Sequence, residues 1–299
     1  HYFKKRFQMN SLILGSGFGL YGYFPAIVEI SKKVYLHDKY KKKFKNLKIY
    51  QKFENKVLWY KNLQNIIKDI DLLVIAKKPS LQFKFIKEIF RYKKKFKHLF
   101  LEKPIDINPK DSLKLIRYLE KNKISYSFGF IFKYCSWFKY LKNNNKKKEI
   151  SIFWFIKKKN LSNSWKYKTK EGGGLIRFYG VHFLKLLTEL KFNKVINNKI
   201  SNNEWSISVK NKKNNIISIT LKYNDKDKFL IFKNGKIFKN LDNPFLKKIR
   251  KYQHDPRVKY LKNYILDELS KVRKKRSIHY FEFLDFWKKV EKNISVKKI

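Results

Sequence analysis

The chain has 299 residues, 43% of them apolar, and carries 73 Lys and Arg against 23 Asp and Glu, a formal charge of +50. That length can bury one large core or two ordinary ones, while no apolar run approaches the ~20 residues that cross a bilayer, so a helical membrane protein is excluded. The single cysteine, Cys135, excludes an internal disulfide and a multi-cysteine zinc site. These features fit a soluble cytoplasmic protein with no metal and no membrane partner.

The lysines are spread through every segment and interleaved with Asn, Ile, Phe and Tyr, while alanine occurs only at Ala26 and Ala76. That is the imprint of A+T-rich coding, and it reads as a global bias rather than a built polyanion surface. No specific nucleic-acid partner is expected, only weak, salt-sensitive attraction to anions. The same bias makes glycine informative. Eight of the ten lie in two clusters, Gly15, Gly17, Gly19 and Gly22, then Gly172, Gly173, Gly174 and Gly180. Where composition drains glycine, those that remain mark places where a side chain is intolerable.

In chain order, "HYFKKRFQ" is basic but lacks the apolar core and cleavage site of a signal peptide. Residues 1–8 read as an upstream extension before Met9, the only methionine. "SLILGSGFGLYGYFPAIVEI" reads as a buried strand, a glycine-rich turn and a helix, and "KVYLHD" as a second strand ending in Asp38, 23 residues beyond Gly15. This is the context of a dinucleotide-binding turn. Gly15 permits the tight turn, Gly17 admits a pyrophosphate to the backbone, the helix start supplies free N–H groups, and Asp38 can accept from the adenosine ribose. The third glycine of that pattern is missing, since Leu20 stands there. Lys39, Lys41 and Lys42 beside Asp38 could instead serve a 2′-phosphate.

The rhythm continues with a helix over "KNLQNIIKDI", a strand in "DLLVIAKKPS", a helix over "LQFKFIKEIFRYKKK", a strand in "HLFLEKPID", and a helix opening at Asn108-Pro109. Alternating strands and helices predict a parallel sheet covered on both faces. Ligands gather at the carboxyl ends of such strands, an edge shared by the turn at residues 15–19, the turn at residues 77–80, and Lys103. Beyond it, "EISIFWFIKK", "EWSISVKN", "IISITLKY" and "KFLIFKNGKIFK" alternate as strands, with "KNGK" as a hairpin signal. "VKYLKNYILDELSKV" and "YFEFLDFWKKVEKNI" are amphipathic helices. The expected fold is α/β, a doubly wound parallel sheet followed by a second set of strands and helices.

Three stretches, "GSGFGLYGYFPAI", "KHLFLEKP" and "EGGGLIRFYGVH", in that order, resemble the Gfo/Idh/MocA oxidoreductase family, the glucose-fructose oxidoreductase and inositol dehydrogenase group. The likeness spans nearly the whole chain and implies a doubly wound Rossmann sheet over residues 1–124, followed over residues 125–299 by an α+β domain with a largely antiparallel open sheet. It departs at Lys77, Lys78 and Gln82, where members carry Thr-Pro and a later His. The resemblance implies that Lys103 and His182 are catalytic. Hydride transfer from a secondary alcohol requires removal of the hydroxyl proton. A desolvated lysine can take that proton, and a histidine can shuttle it or orient the oxygen. The cofactor-binding set is expected at Gly15, Gly17, Phe18, Gly19, Asp38, Ala76, Pro79, Glu102 and Lys103. NAD is favoured by Asp38, with NADP left open. Members have an aspartate where this chain has Phe178, so the substrate side is altered. Lys133, Trp165 and Arg177 are the substrate-contact candidates. The Lys103–Pro104 peptide is a candidate for cis, and the glycine run is expected to pass close to the cofactor.

The function implied is NAD(P)-dependent oxidation or reduction at a secondary hydroxyl of a sugar, nucleotide sugar or cyclic polyol, by a homo-oligomer in carbohydrate metabolism. Two alternatives stay open: a member without redox turnover that binds nucleotide or sugar as a regulatory or scaffold protein, and a lyase or hydrolase that recycles NAD within one turnover.

Overall fold

The run from Met9 to Leu14 is apolar except at Asn10 and Ser11, and it forms the central strand β1 (Met9–Leu14) of a six-stranded parallel sheet. The computed structural model describes residues 9–92, 95–142, 149–158, 164–245, 255–270 and 278–296. The expected extension at residues 1–8 lies outside them. Two units separate. The first comprises the described residues of 1–106, 114–129 and 250–274, and the second those of 107–113, 130–249 and 275–299.

In the first unit β1 leads through a wide helical turn, Gly19–Tyr23, into α1 (Phe24–Ile27). Then come β2 (Ser31–His37), α2 (Lys41–Lys45), β3 (Val57–Tyr60), β4 (Leu72–Ile75), α3 (Pro79–Phe90), β5 (His98–Leu101), α4 (Pro109–Lys121), of which residues 114–121 belong to this unit, and β6 (Tyr126–Phe128). The sheet order is β3-β2-β1-β4-β5-β6, so the winding reverses between β1 and β4. That reversal is the switch point at which doubly wound sheets bind ligands. The register aligns the strand ends there: Leu14 pairs with Ile75, and Ile75 with Leu101. The residues that follow, Gly15, Ala76 and Glu102, are therefore neighbours. The Ala76 amide donates to the Leu14 carbonyl at 2.9 Å, and the Glu102 amide to the Ile75 carbonyl at 3.0 Å. β4 and β5 are fully buried, as a parallel sheet with covered faces requires.

One element differs from expectation. "KNLQNIIKDI" is not a helix but two tight turns, Leu63–Asn65 and Ile67–Asp69. The Asn62 side chain accepts from the Gln64 amide at 2.9 Å. That local bond competes with the helical ladder, in a segment too short to recover the cost of nucleation. β3 carries no strong alternation and goes unread in the sequence.

The second unit holds α5 (Phe138–Lys142), β7 (Glu149–Lys157), α6 (Val181–Glu189), β8 (Lys194–Ile200), β9 (Glu204–Lys210), β10 (Ile216–Asn224), β11 (Lys228–Lys233), β12 (Lys236–Leu241), α8 (Ile278–Lys292) and the short β13 (Ser295–Val296), while α7 (Arg257–Ser270) belongs to the first. Its sheet runs β12-β11-β7-β10-β9-β8-β13. It is antiparallel except for the pairs β7–β10 and β8–β13. Alternation sets its core: Ile150, Ile152, Trp154 and Ile156 of β7, Trp205, Ile207 and Val209 of β9, and Ile217, Ile219 and Leu221 of β10 are buried. The hairpin between β11 and β12 turns at Asn234 and Gly235, both left-handed at φ 48° and 77°, the geometry an Asn-Gly pair is suited to. Among the described residues no helix is long and apolar enough to cross a membrane.

Candidate active site

The carboxyl edge of the first sheet collects most of the expected cofactor residues. Gly15 follows β1 with φ 144°, and a Cβ there would stand 2.3 Å from the Ala76 carbonyl oxygen. Its lack of a side chain is what lets β1 and β4 close. Gly17 is different: a Cβ there would meet nothing within 4 Å. The fold leaves space at that point without using it. The Leu20 and Tyr21 amides donate to the Gly17 carbonyl at 2.9 and 3.3 Å, so helical bonding begins at Gly17. The amides of the preceding residues stand ahead of that ladder, as helix N-termini leave them. The first turn is wound wide, with the Phe24 amide donating to Gly19, five residues back. Such wide turns recur at ligand sites. An open cradle, forward amides and the positive end of a helix fit a dinucleotide pyrophosphate.

Asp38 follows β2 directly. Nδ1 of His37 lies 2.8 Å from Asp38 Oδ1 and 3.2 Å from the Lys39 amide nitrogen. Protonated there, it donates to Asp38; unprotonated, it caps Lys39. Tyr40 connects this corner to the glycine turn, because the Gly15 backbone hydrogen-bonds its hydroxyl. Lys77 Nζ donates to the same hydroxyl at 3.4 Å. Burial holds the Lys77 ammonium below its ordinary range. Ala76, Lys77 and Pro79 thus line the turn between β4 and α3, with Pro79 in the first turn of the helix.

Glu102 and Lys103 follow β5 on the same edge. Lys103 is buried, at 8% exposure, and the Lys103–Pro104 peptide is cis. Tyr23 of the wide turn donates to Glu102 Oε2 at 3.1 Å. Gln82 braces the other side. Fully buried on α3, its Nε2 donates to the Glu102 carbonyl at 2.8 Å and the Pro104 carbonyl at 2.9 Å. Lys103 is held between two anchored carbonyls. The sequence marks Gln82 only as a departure from the family pattern, and its bracing role becomes visible through the contact alone.

In the second unit Gly172 and Gly174 are left-handed, at φ 84° and 83°, and Gly173 between them is hemmed in by backbone. A Cβ at Gly173 would stand 2.1 Å from the Trp165 carbonyl oxygen. The close approach expected toward a cofactor is, at Gly173, an approach to the Trp165–Tyr167 turn. The run then enters a second wide turn, Leu175–Gly180, where the Val181 amide donates to Ile176, five residues back. Next comes α6, which presents His182. This histidine is buried, stacked on Phe132 at 4.4 Å and 11°, and edge-on to Phe130 at 6.0 Å.

Phe178 joins an aromatic cluster, edge-on to Trp165 at 5.3 Å and to Tyr179 at 4.7 Å, with Lys166 Nζ 5.5 Å from its ring centroid. Tyr179 in turn meets Trp154 at 5.3 Å. Burial first, then neighbouring phenols, raises the Tyr179 and Tyr223 hydroxyls, Tyr223 to about 12. Lys133 lies in the tight turn Phe132–Tyr134 with its Nζ 4.9 Å from the Tyr134 ring centroid. The turn is closed by the Tyr134 and Cys135 amides, which donate to the Ile131 and Phe132 carbonyls. Arg177 is engaged within the unit. Its Nε and Nη2 donate to both oxygens of Glu291 at 2.8 Å, and Nη1 to the Thr169 carbonyl at 3.1 Å.

A family model described as an oxidoreductase family with an NAD-binding Rossmann fold, Gfo/Idh/MocA, matches residues 9–130. No curated protein matches the sequence. Among solved structures, the WlbA (WbpB) dehydrogenase from Thermus thermophilus, in complex with NAD and UDP-GlcNAcA, superposes with a TM-score of 0.69 at 14% identity over 97% of both chains. KijD10, a 3-ketoreductase from Actinomadura kijaniata in complex with NADP and TDP-benzene, gives 0.68 at 11% identity, covering 96% of this chain and 98% of that one. The UDP-N-acetylglucosamine 3-dehydrogenase GnnA from Acidithiobacillus ferrooxidans gives 0.64 at 11%, covering 96% and 97%. At these identities the likeness is one of fold.

Proposed function

Because residues 9–130 belong to the Gfo/Idh/MocA oxidoreductase family as its NAD-binding Rossmann domain, we propose that the chain is an NAD(P)-dependent oxidoreductase acting on a secondary hydroxyl of a sugar, with nucleotide sugars the leading class. The observation that carries the reading is the pairing of two features on one sheet edge. Gly17 leaves an unfilled cradle at the switch point. Glu102 and Lys103 follow a strand whose end is in register with it. The nucleotide-sugar class is supported by the ligands and names of the WlbA and GnnA structures.

The residues divide the work. The turn at residues 15–19 holds the pyrophosphate through backbone amides, with Gly17 admitting it. Asp38 accepts from the adenosine ribose hydroxyls, which favours NAD over NADP. Glu102, fixed by Tyr23, supplies an acceptor beside Lys103. A nicotinamide, when bound, supplies the hydride acceptor. Lys103 Nζ takes the hydroxyl proton as the substrate C–O bond becomes a carbonyl. Its burial keeps water from competing for that proton, and Gln82 fixes its backbone. His182 is proposed to orient the substrate oxygen, and Phe178 to form an apolar wall with Trp165.

The test is calorimetric titration with NADH and NADPH, followed by a sugar and nucleotide-sugar screen of the wild type and Lys103→Met. Turnover in the variant should fall by on the order of 10²–10⁴-fold, the range of a lost general acid–base group, with cofactor affinity little changed. Tight cofactor binding without turnover of any substrate would replace this reading with the non-redox one.

A further inference from the structure

Arg257 opens α7, a helix of the same unit as the glycine turn. Its guanidinium carbon lies 4.2 Å from the centroid of the Phe18 ring and 5.8 Å from that of Tyr21. Phe18 stands inside the turn, between Gly17 and Gly19, and its ring is boxed in. It meets Tyr21 and Tyr23 edge-on at 5.5 and 5.6 Å. It also lies against Gly22, where a Cβ would stand 2.2 Å from the ring. The ring is thus a fixed platform.

Asp255 fixes the other edge of the guanidinium, accepting from Nε at 2.8 Å and Nη2 at 2.7 Å, while its Oδ1 also takes the Arg257 amide at 3.0 Å. A guanidinium has five N–H donors. Two are spent on Asp255, and the other three meet no partner among the described residues. The side chain is 31% exposed, so it is held in place and still open to a ligand.

We propose that Arg257 is a phosphate-binding residue, whose uncommitted N–H groups donate to the pyrophosphate of the dinucleotide held at the turn of residues 15–19. Backbone amides bring dipoles to that turn but no net charge. A pyrophosphate is doubly anionic, and its charge-assisted bonds are the strong ones. The planar fork of an arginine suits phosphate oxygens, and Asp255 orients it before the ligand arrives. Asp255 and Glu102 are the acidic groups that bear on Arg257; with Asp255 paired in plane, the opposite edge of the fork is the one that presents charge. The proposal rests on the reading that this turn binds a dinucleotide.

The experiment measures Kd for NADH and ADP-ribose by calorimetry at several salt concentrations, in wild type, Arg257→Met and Arg257→Lys. Loss of a charge-assisted bond should weaken both ligands roughly 10- to 100-fold in Arg257→Met and flatten the dependence of log Kd on salt. Arg257→Lys, which keeps the charge without the fork, should recover part of the loss. Equal affinities in all three proteins would overturn the role of Arg257 and leave the cofactor reading standing. A wild type that binds neither ligand would remove both. Should Arg257→Met not fold, phenylglyoxal labelling of the wild type, read at Arg257 by mass spectrometry, decides. Protection by ADP-ribose supports the proposal, and labelling unchanged by ADP-ribose overturns it.

Discussion

A methyl group at Gly15 would lie 2.3 Å from the Ala76 carbonyl oxygen, on a backbone already at φ 144°, whereas one at Gly17 would meet nothing. Two glycines of one motif therefore fail differently when replaced. Gly15→Ala should cost on the order of 3 kcal/mol or more through clash and backbone strain, seen as a large drop in Tm. Gly17→Val should stay within about 1 kcal/mol of wild type in denaturant unfolding yet lose NADH binding by calorimetry, because its side chain occupies the ligand's space. A second residue-scale expectation concerns Arg177. Its side chain and that of Glu291 are each only 20% exposed, and the pair is joined twice at 2.8 Å. Glu291 also accepts from Trp287 Nε1 at 2.9 Å. Arg177→Ala strips a half-buried carboxylate of its cation, and should destabilise the protein by roughly 1–3 kcal/mol. Arg177→Ala with Glu291→Gln should recover part of that, since no unpaired charge remains. A Tm unchanged in Arg177→Ala would show the pair to be idle.

At the scale of elements, the turn after β5 depends on α3 rather than on its own residues. Gln82 reaches from the helix to the carbonyls on either side of Lys103. Gln82→Leu keeps the apolar stem and leaves two buried acceptors without their donor, at a cost of roughly 2–4 kcal/mol. Turnover should fall alongside Tm, because the lysine's backbone is no longer held. Gln82→His, able to donate one of the two bonds, should lie between. If Gln82→Leu kept full turnover at a lowered Tm, the brace would be structural only. Both glycine clusters lead into wide helical turns, Gly19–Tyr23 and Leu175–Gly180, before regular helix begins. Composition and periodicity announce a helix at both places but say nothing of the winding, which shows only in bonds that skip five residues.

For the whole molecule, the formal charge of +50 predicts attraction to any polyanion through counterion release and no readout of base sequence. Fluorescence anisotropy with unrelated duplexes should give equal affinities that fall steeply with salt, and one duplex preferred at high salt would overturn this. The strand–turn–helix from residue 9 to 27, the Asn-Gly hairpin and the alternating strands were legible from sequence because each depends on neighbours a few residues away, where period and turn chemistry act. The polar strand β8, with exposed Lys194, Asn197 and Lys199, was not, since its pairing to β9 rather than its own residues makes it a strand. Nor was the occupation of Arg177 by Glu291, 114 positions on, or the seating of Arg257 on Phe18. The sequence by itself determined the doubly wound fold, the glycine turn and the lysine that follows β5. Only the tertiary structure decided which cations are already paired and which stand open, because hydrogen-bond partners are chosen by the surfaces that packing brings together, and those lie far apart along the chain.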